Sequence, residues 1–175
     1  KSLSKPLSYE IIVVDNNSSD GTVEMVRREF PQVKVIANSG NAGFSRASNQ
    51  GYRQAAGRYV VFLNPDTVVP AGTLEEMVSF MDRMPDCGIA GPCAVREDGS
   101  TAESCRPLPH PLADVISCFC IPLRRRVRHP GRQRKAEDAP VKAESLSGCC
   151  LMVRRKALEE AGLFETDPTP ERLAW

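Results

Sequence analysis

The residues of this chain best suited to chemistry are an amide and a carboxylate two positions apart, Asn64 and Asp66, with Pro65 between them. Both offer oxygen, which is what a hard divalent cation takes while a phosphorylated ligand completes its shell. They follow directly on Arg58-Tyr59-Val60-Val61-Phe62-Leu63, a run too apolar to alternate, which suits a strand buried on both faces of a parallel sheet. Pro65 cannot donate to a sheet ladder, so Asp66 is expected on a loop just past the strand's carboxyl end. That edge is where open α/β sheets bind ligands. Asn, Pro and Asp are also common turn formers, and on the tripeptide alone a plain turn is the simpler reading.

The elements that must position this site can be read on either side of it. Glu10 to Val14 is a short apolar run closed by Asp15 and the polar loop Asn16 to Thr22, in which Ser19 or Asp20 can cap a helix carrying Val23, Val26 and Phe30. Pro31 breaks that helix, and Val33 to Ile36 gives a second strand. A turn over Asn38 to Phe44 leads to a second helix with Phe44, Ala47, Gly51 and Ala55 on one face, small enough to let it lie close to a sheet, and Gly57 ends it. Strand-helix-strand-helix-strand at this spacing predicts right-handed crossovers and a parallel, doubly wound sheet. After Asp66, a third helix places Leu74, Met77, Val78 and Met81 at i, i+3, i+4 and i+7. Gly88 to Arg96 reads as strand and turn, Ser147 to Val153 as a strand, and Arg154 to Ala161 as a helix stopped by Gly162.

The 175 residues, 41% hydrophobic and 26% charged, fit one soluble domain with a real core. The central apolar run from Val115 to Leu123 is far shorter than the roughly 20 residues that span a bilayer. Seven cysteines include no Cys-x-x-Cys pair, which argues against zinc or a disulfide framework and for small buried hydrophobes in a reducing, cytoplasmic compartment. Net charge is +1, yet seven of the 23 basic residues lie between Arg124 and Lys135, leaving 16 basic against 22 acidic elsewhere. This run sits in an irregular basic, proline-rich insertion over residues 106–143 of a single domain spanning 1–175. It reads first as a solvated loop. A peripheral contact with the inner face of a membrane is the alternative, since Ile116, Phe119, Ile121 and Leu123 precede it. No aromatics interleave the basic residues, so no nucleic-acid partner is expected.

Four blocks occur in order: Val13-Val14-Asp15-Asn16-Asn17-Ser18-Ser19-Asp20-Gly21-Thr22; Gly40-Asn41-Ala42-Gly43-Phe44 with Asn49-Gln50-Gly51; Leu63-Asn64-Pro65-Asp66-Thr67; and Ser147-Gly148 before Leu151-Met152-Val153-Arg154-Arg155. Together they resemble family-2 glycosyltransferases, in particular a rhamnosyltransferase-like branch that builds cell-wall and cell-surface polysaccharide. The resemblance implies a Rossmann-like nucleotide-diphospho-sugar transferase fold of the GT-A type, mostly parallel, with helices on both faces. It implies a UDP- or dTDP-linked sugar donor, a saccharide or lipid-linked acceptor, Mg²⁺ or Mn²⁺ as cofactor, and inversion at the anomeric carbon in one displacement. By the same analogy Asp15 would bind the donor's pyrimidine base, Asn17 would lie in the donor site, Gly40, Asn41, Gly43 and Arg46 would approach the nucleotide, and Asn64 with Asp66 would form the metal motif. Asp66 would be the main metal ligand, and Ser147 and Gly148 would line the acceptor side.

Two departures qualify the resemblance. Nothing before Tyr9 matches the strand with which the family opens, and the Leu163-Phe164-Glu165 turn leads into a divergent stretch up to Trp175. Neither Glu165 nor Glu171 stands in the expected Glu-Asp context, so no catalytic base is assigned. The chain is expected to be a fragment that transfers sugar poorly alone. The competing readings are a sugar-phosphate nucleotidyltransferase, which would release pyrophosphate, and a non-catalytic nucleotide-sugar or anionic-surface binding module.

Overall fold

A computed structural model describes residues 7–96, 98–102, 104–106 and 139–166. Strand β1 (Ile12–Asp15) leads through helix α1 (Thr22–Glu29) to β2 (Lys34–Ala37), and α2 (Phe44–Gln54) leads to β3 (Tyr59–Leu63). Then follow α3 (Thr73–Arg83), β4 (Ile89–Ala90), β5 (Cys105–Arg106), β6 (Ser145–Leu146), β7 (Cys150–Arg154) and α4 (Arg155–Ala161). The α/β architecture expected from the strand-helix alternation is present. β1 and β2 pair in parallel, with Ile12 opposite Lys34 and Asp15 opposite Ala37.

The expected mostly parallel sheet is not formed, however: among the described residues the strands fall into separate sheets, with β1–β2 parallel and the others antiparallel. β3 pairs antiparallel with β7, Tyr59 opposite Arg154 and Leu63 opposite Cys150, and β4 pairs antiparallel with the other edge of β7. β7 is therefore the central strand of that sheet, and its run Cys150-Leu151-Met152-Val153 is apolar without alternation because both of its faces are covered. Apolar runs in β3 and β7 read alike; only the pairing decides which one is central. A further short antiparallel pair joins β5 to β6.

Helices cover both faces, as expected. On one face Val60, Phe62, Val153 and Leu158 pack with Tyr52 and Ala55 of α2 and with Phe164. On the other, Met77, Met81 and Met152 pack with Tyr59, Val61 and Leu74, so alternate residues of β3 feed alternate cores. Met81 and Met152 are fully buried there. Gly51 shows why small residues face inward on α2: a Cβ at that position would lie 3.3 Å from Val14 Cγ2.

β1 and β3 are not hydrogen-bonded to each other, yet α2 fixes their relative direction. Near its start, Gly43 accepts a bond from Asn16 just beyond β1, while Phe44 meets Phe164, which packs on Phe62 near the end of β3. Just past its other end, the Ala56 amide donates to Glu10 ahead of β1, and Arg58 opens β3. Both strands thus run opposite to α2, and their carboxyl ends share one edge.

Of the described cysteines only Cys150 is buried, and burial pushes its thiol above the ordinary range; Cys87, Cys105 and Cys149 are half-buried and Cys93 is exposed. Burial therefore accounts for one of the described cysteines. Most of the 106–143 insertion, with the basic run Arg124 to Lys135 and its apolar neighbours, lies outside the described residues, as does Glu171.

Candidate active site

The shared edge is built from three loops and a turn. The first follows β1. Asp15 is 6% exposed, and its Oδ2 accepts the Ser18 amide at 3.0 Å, a local turn made by the loop itself. Hydrogen bonds from the Ser18 side chain and then its backbone hold the Asp15 carboxyl below the usual carboxylate range. Asn17 stands in the left-handed region at φ 70°, which asparagine tolerates better than most residues. Gly21, also left-handed, is the residue before α1 and makes no side-chain cap. Asp20, rather than Ser19, serves the helix start, accepting both the amide and the hydroxyl of Thr22.

The second loop follows β2 and is tied to the first by amides. Asn38 Nδ2 donates to Asn16 Oδ1 at 2.9 Å and to Gln50 Oε1 at 2.9 Å, and Gln50 Nε2 returns a bond to Asn38 Oδ1 at 3.0 Å. Asn41 Oδ1 accepts the Gly43 amide at 2.9 Å, closing the turn before α2, and Gly43 takes φ 78°, where a side chain would be strained. Gly40 is exposed in this loop, and Arg46 is exposed on the first turn of α2. The Asn16–Asn38–Gln50 network had no assigned role in the sequence reading. Its signal was available in retrospect: polar amides immediately after two successive strands and on the sheet-facing side of the following helix.

The third loop carries Asn64 and Asp66. The Asn64 amide donates to Cys149 O at 2.9 Å, Thr67 Oγ1 reaches the same carbonyl at 3.4 Å, and the Thr67 amide closes back on Asn64 O. Asn64-Pro65-Asp66 is thus a turn that leaves Asp66 exposed. The bonds to Cys149 also set Ser147 and Gly148 alongside it, since Gly148 and Cys149 form the turn that enters β7. Ser147 itself donates its amide to Ser104 O at 2.9 Å. The structure therefore brings Asn64 and Asp66 together with Ser147 and Gly148, and brings Asn16 together with Gly43; Arg46 makes no hydrogen bond or ion pair among the described residues.

The donor set can be tested against a divalent cation. Among the described residues no three His, Cys, Asp or Glu side chains converge to hold a metal. Asp66 is exposed and its carboxylate has no partner among those residues, and Asn64 is half-buried two positions away. One carboxylate on a fixed turn, with water and ligand phosphates supplying the remaining oxygens, fits how Mg²⁺ is commonly held. It does not fit a cage that the protein completes alone.

These features define an α/β fold with a polar edge that carries the buried Asp15 carboxylate and the exposed Asp66. A mannosyltransferase from Pyrobaculum calidifontis, solved with GDP-Man and Mn²⁺, superposes with a TM-score of 0.55 at 26% identity, covering 90% of this chain and 39% of that one. TarS from S. aureus, residues 1–349, gives 0.57 at 20% identity over 90% of this chain and 41% of its own, a likeness of fold. The chain belongs to Glycosyl transferase family 2, whose profile it matches over residues 1–162. Among curated relatives, the N-acetylglucosaminyl-diphospho-decaprenol L-rhamnosyltransferase of Mycobacterium tuberculosis is 28% identical over 94% of this chain and 58% of its own length. The poly-β-1,6-N-acetyl-D-glucosamine synthase of Staphylococcus epidermidis is 25% identical over 94% of this chain and 37% of its own. The chain thus spans little more than half the length of the first and less of the second. Among the described residues no helix is long and apolar enough to cross a membrane.

Proposed function

We propose that residues 1–175 are part of one glycosyltransferase domain, interrupted by the 106–143 insertion, that binds a nucleotide-diphosphate sugar along the shared edge and passes the sugar to a saccharide or lipid-linked acceptor. The observation that carries this reading is the Asn64–Asp66 turn. It is pinned to Cys149, and it holds the Asp66 carboxylate exposed and without a partner among the described residues. The Gly43 loop and Asn16 bound the nucleotide side, Asp15 and Asn17 reach the base, and Arg46 faces the phosphates. Ser147 and Gly148 lie on the acceptor side of Asp66. The names of the relatives support this class of reaction: one is titled for a lipid-linked N-acetylglucosamine acceptor, another for a polysaccharide product, and the mannosyltransferase was solved with a nucleotide sugar and Mn²⁺.

In the proposed reaction an acceptor hydroxyl gives its proton to a general base, to which no residue is assigned, and attacks the anomeric carbon as the bond to the leaving nucleoside diphosphate breaks, inverting that centre. Mg²⁺ or Mn²⁺, when bound, supplies stabilisation of the charge that builds on the departing phosphate. Asp66 would hold that cation with help from the Asn64 amide oxygen, and the Cys149 contacts fix the loop so that little ordering is left for the moment of binding. Family membership favours free nucleoside diphosphate over pyrophosphate as the product. The reaction is expected at the cytoplasmic face of a membrane. There the basic run from Arg124 to Lys135 would rest on anionic lipid, and reversing its charges should weaken liposome binding at low salt.

Isothermal titration with UDP and dTDP, with and without Mn²⁺, tests the site. Binding that requires Mn²⁺ and is lost in Asp66→Ala is the expected result, and the preferred nucleotide names the base. A folded chain that binds neither nucleotide, or an Asp66→Ala variant that binds as well as the native one, would overturn the assignment.

A further inference from the structure

Asn49 stands apart from the edge network. It is 3% exposed, and with Asp15 it makes up the buried polar residues among those described. It lies in the middle of α2, where asparagine is a poor helix former, and burying an amide is costly unless its bonds are met. Both are met by one distant residue: Asn49 Nδ2 donates to Phe164 O at 2.9 Å, and the Phe164 amide donates to Asn49 Oδ1 at 3.1 Å. The side chain grips both backbone groups of a single residue, as the opposing residue of an antiparallel strand would.

Packing alone does not call for this amide. The Phe164 ring is already held edge-on by Phe62, with centroids 4.9 Å apart, and by Phe44 at 5.7 Å. Those contacts fix the ring but leave the backbone free to swivel about it. The two bonds from Asn49 fix the backbone, and so fix the direction in which the chain leaves toward Glu165. Gly162, at φ 91°, turns the chain back at the end of α4. Phe44 begins α2 next to Gly43, and Phe62 lies two residues before Asn64. The gripped turn therefore sits at the edge where the donor is proposed to bind.

Resting on that reading of the edge, we propose that Asn49 is a positioning residue: by clamping the Phe164 backbone it holds Glu165 beside the Asn64–Asp66 turn. A purely structural amide would stabilise the chain without setting the distance from Glu165 to the bound metal.

The test is nuclear magnetic resonance of the ¹⁵N-labelled chain with Mn²⁺–UDP and Mn²⁺–dTDP, using the Mg²⁺ complexes as diamagnetic references. In the native chain the amides of Asn16, Asn64 and Glu165 should all broaden. In Asn49→Ala, exchange of the Phe164 amide should accelerate roughly tenfold with its bond lost, and broadening at Glu165 should fall, while Asn16 and Asn64 broaden as before. Should that variant fail to fold, Asn49→Asp keeps the acceptor for the Phe164 amide but sets an oxygen against Phe164 O, and should shift Glu165 in the same sense. Glu165 broadening equally in native and variant chains, or not at all in a native chain whose Asn64 does broaden, overturns the proposal and leaves the donor site standing. Absence of broadening at Asn16 and Asn64 in the native chain removes the donor site and with it the role of Asn49 there.

Discussion

Arg154→Ala should destabilise the chain by about 2–4 kcal/mol, although the residue touches nothing proposed to bind substrate. Arg154 ends β7, and its guanidinium reaches the C-terminal carbonyls of α3: Nη2 donates to Met81 O at 2.7 Å and to Met84 O at 3.2 Å. Nε donates to Cys87 O at 3.2 Å and Nη1 to the Tyr59 hydroxyl at 3.2 Å, and the head lies 5.2 Å from the Tyr59 ring centroid. A hydrogen bond from a charged donor contributes about 1.5–3 kcal/mol, and a cation over a ring about 0.5–1 where water reaches it. The three longer bonds count for less than the short one, and the side chain is only part-buried, which brings the sum down to the range given. For a chain of this size that is a fall of roughly 4–16 °C in Tm. Arg155, the next residue, does the same for α2 on the opposite face, donating to Gly57 O at 2.8 Å and Ala55 O at 2.7 Å. Because the two arginines share no partner, the double alanine variant should be additive to within about 0.5 kcal/mol. Urea unfolding of both single variants and the double decides this, with Arg154→Lys expected between native and alanine because it keeps the charge and loses the fork. An Arg154→Ala cost within about 0.5 kcal/mol of zero, typical of an ordinary surface site, would refute the reasoning.

Gly51→Val should cost about 1–3 kcal/mol, because even the first carbon of a side chain there would lie 3.3 Å from Val14 Cγ2 and a branched one must push α2 off β1; an unchanged urea midpoint would show that the helix has room. Asp82 accepts bonds from the Tyr59 hydroxyl and from Arg58, both at 2.6 Å, and these hold its carboxyl below the usual carboxylate range. Its folded pKa thus lies below its unfolded one, so its contribution is complete above the unfolded value and is lost as pH falls through the folded value. Tm should therefore decline on acidification from roughly pH 5 downward through the folded value, and less steeply in Asp82→Asn, which thermal scans over that range would read. Chelating the metal should abolish UDP or dTDP binding as fully as Asp66→Ala does, and residual binding in the chelated native chain would separate the nucleotide pocket from the cation.

Much of the organisation was legible in the sequence because it is local. Val23 and Val26, Leu74 to Met81, and the apolar run Tyr59–Leu63 announce their periods, and Pro65 forces Asp66 out of the ladder and onto the edge. The four motif blocks then supplied the family, since their order and spacing are properties of the chain. What the sequence left open depends on partners distant along the chain. An apolar run shows that both faces are covered but not which strand lies beside it, so β7 entering antiparallel beside β3 was not foreseen. Arg154 reads as the start of a helix, yet it closes β7, and the fold turns its side chain toward α3 and that of Arg155 toward α2. Asn49 reads as one more polar helix residue until the fold brings it to a peptide 115 positions away. Local pattern set the elements and the chemistry of their loops. Tertiary structure alone chose the neighbours, because burial of those polar groups is tolerated only where the fold delivers a partner to each.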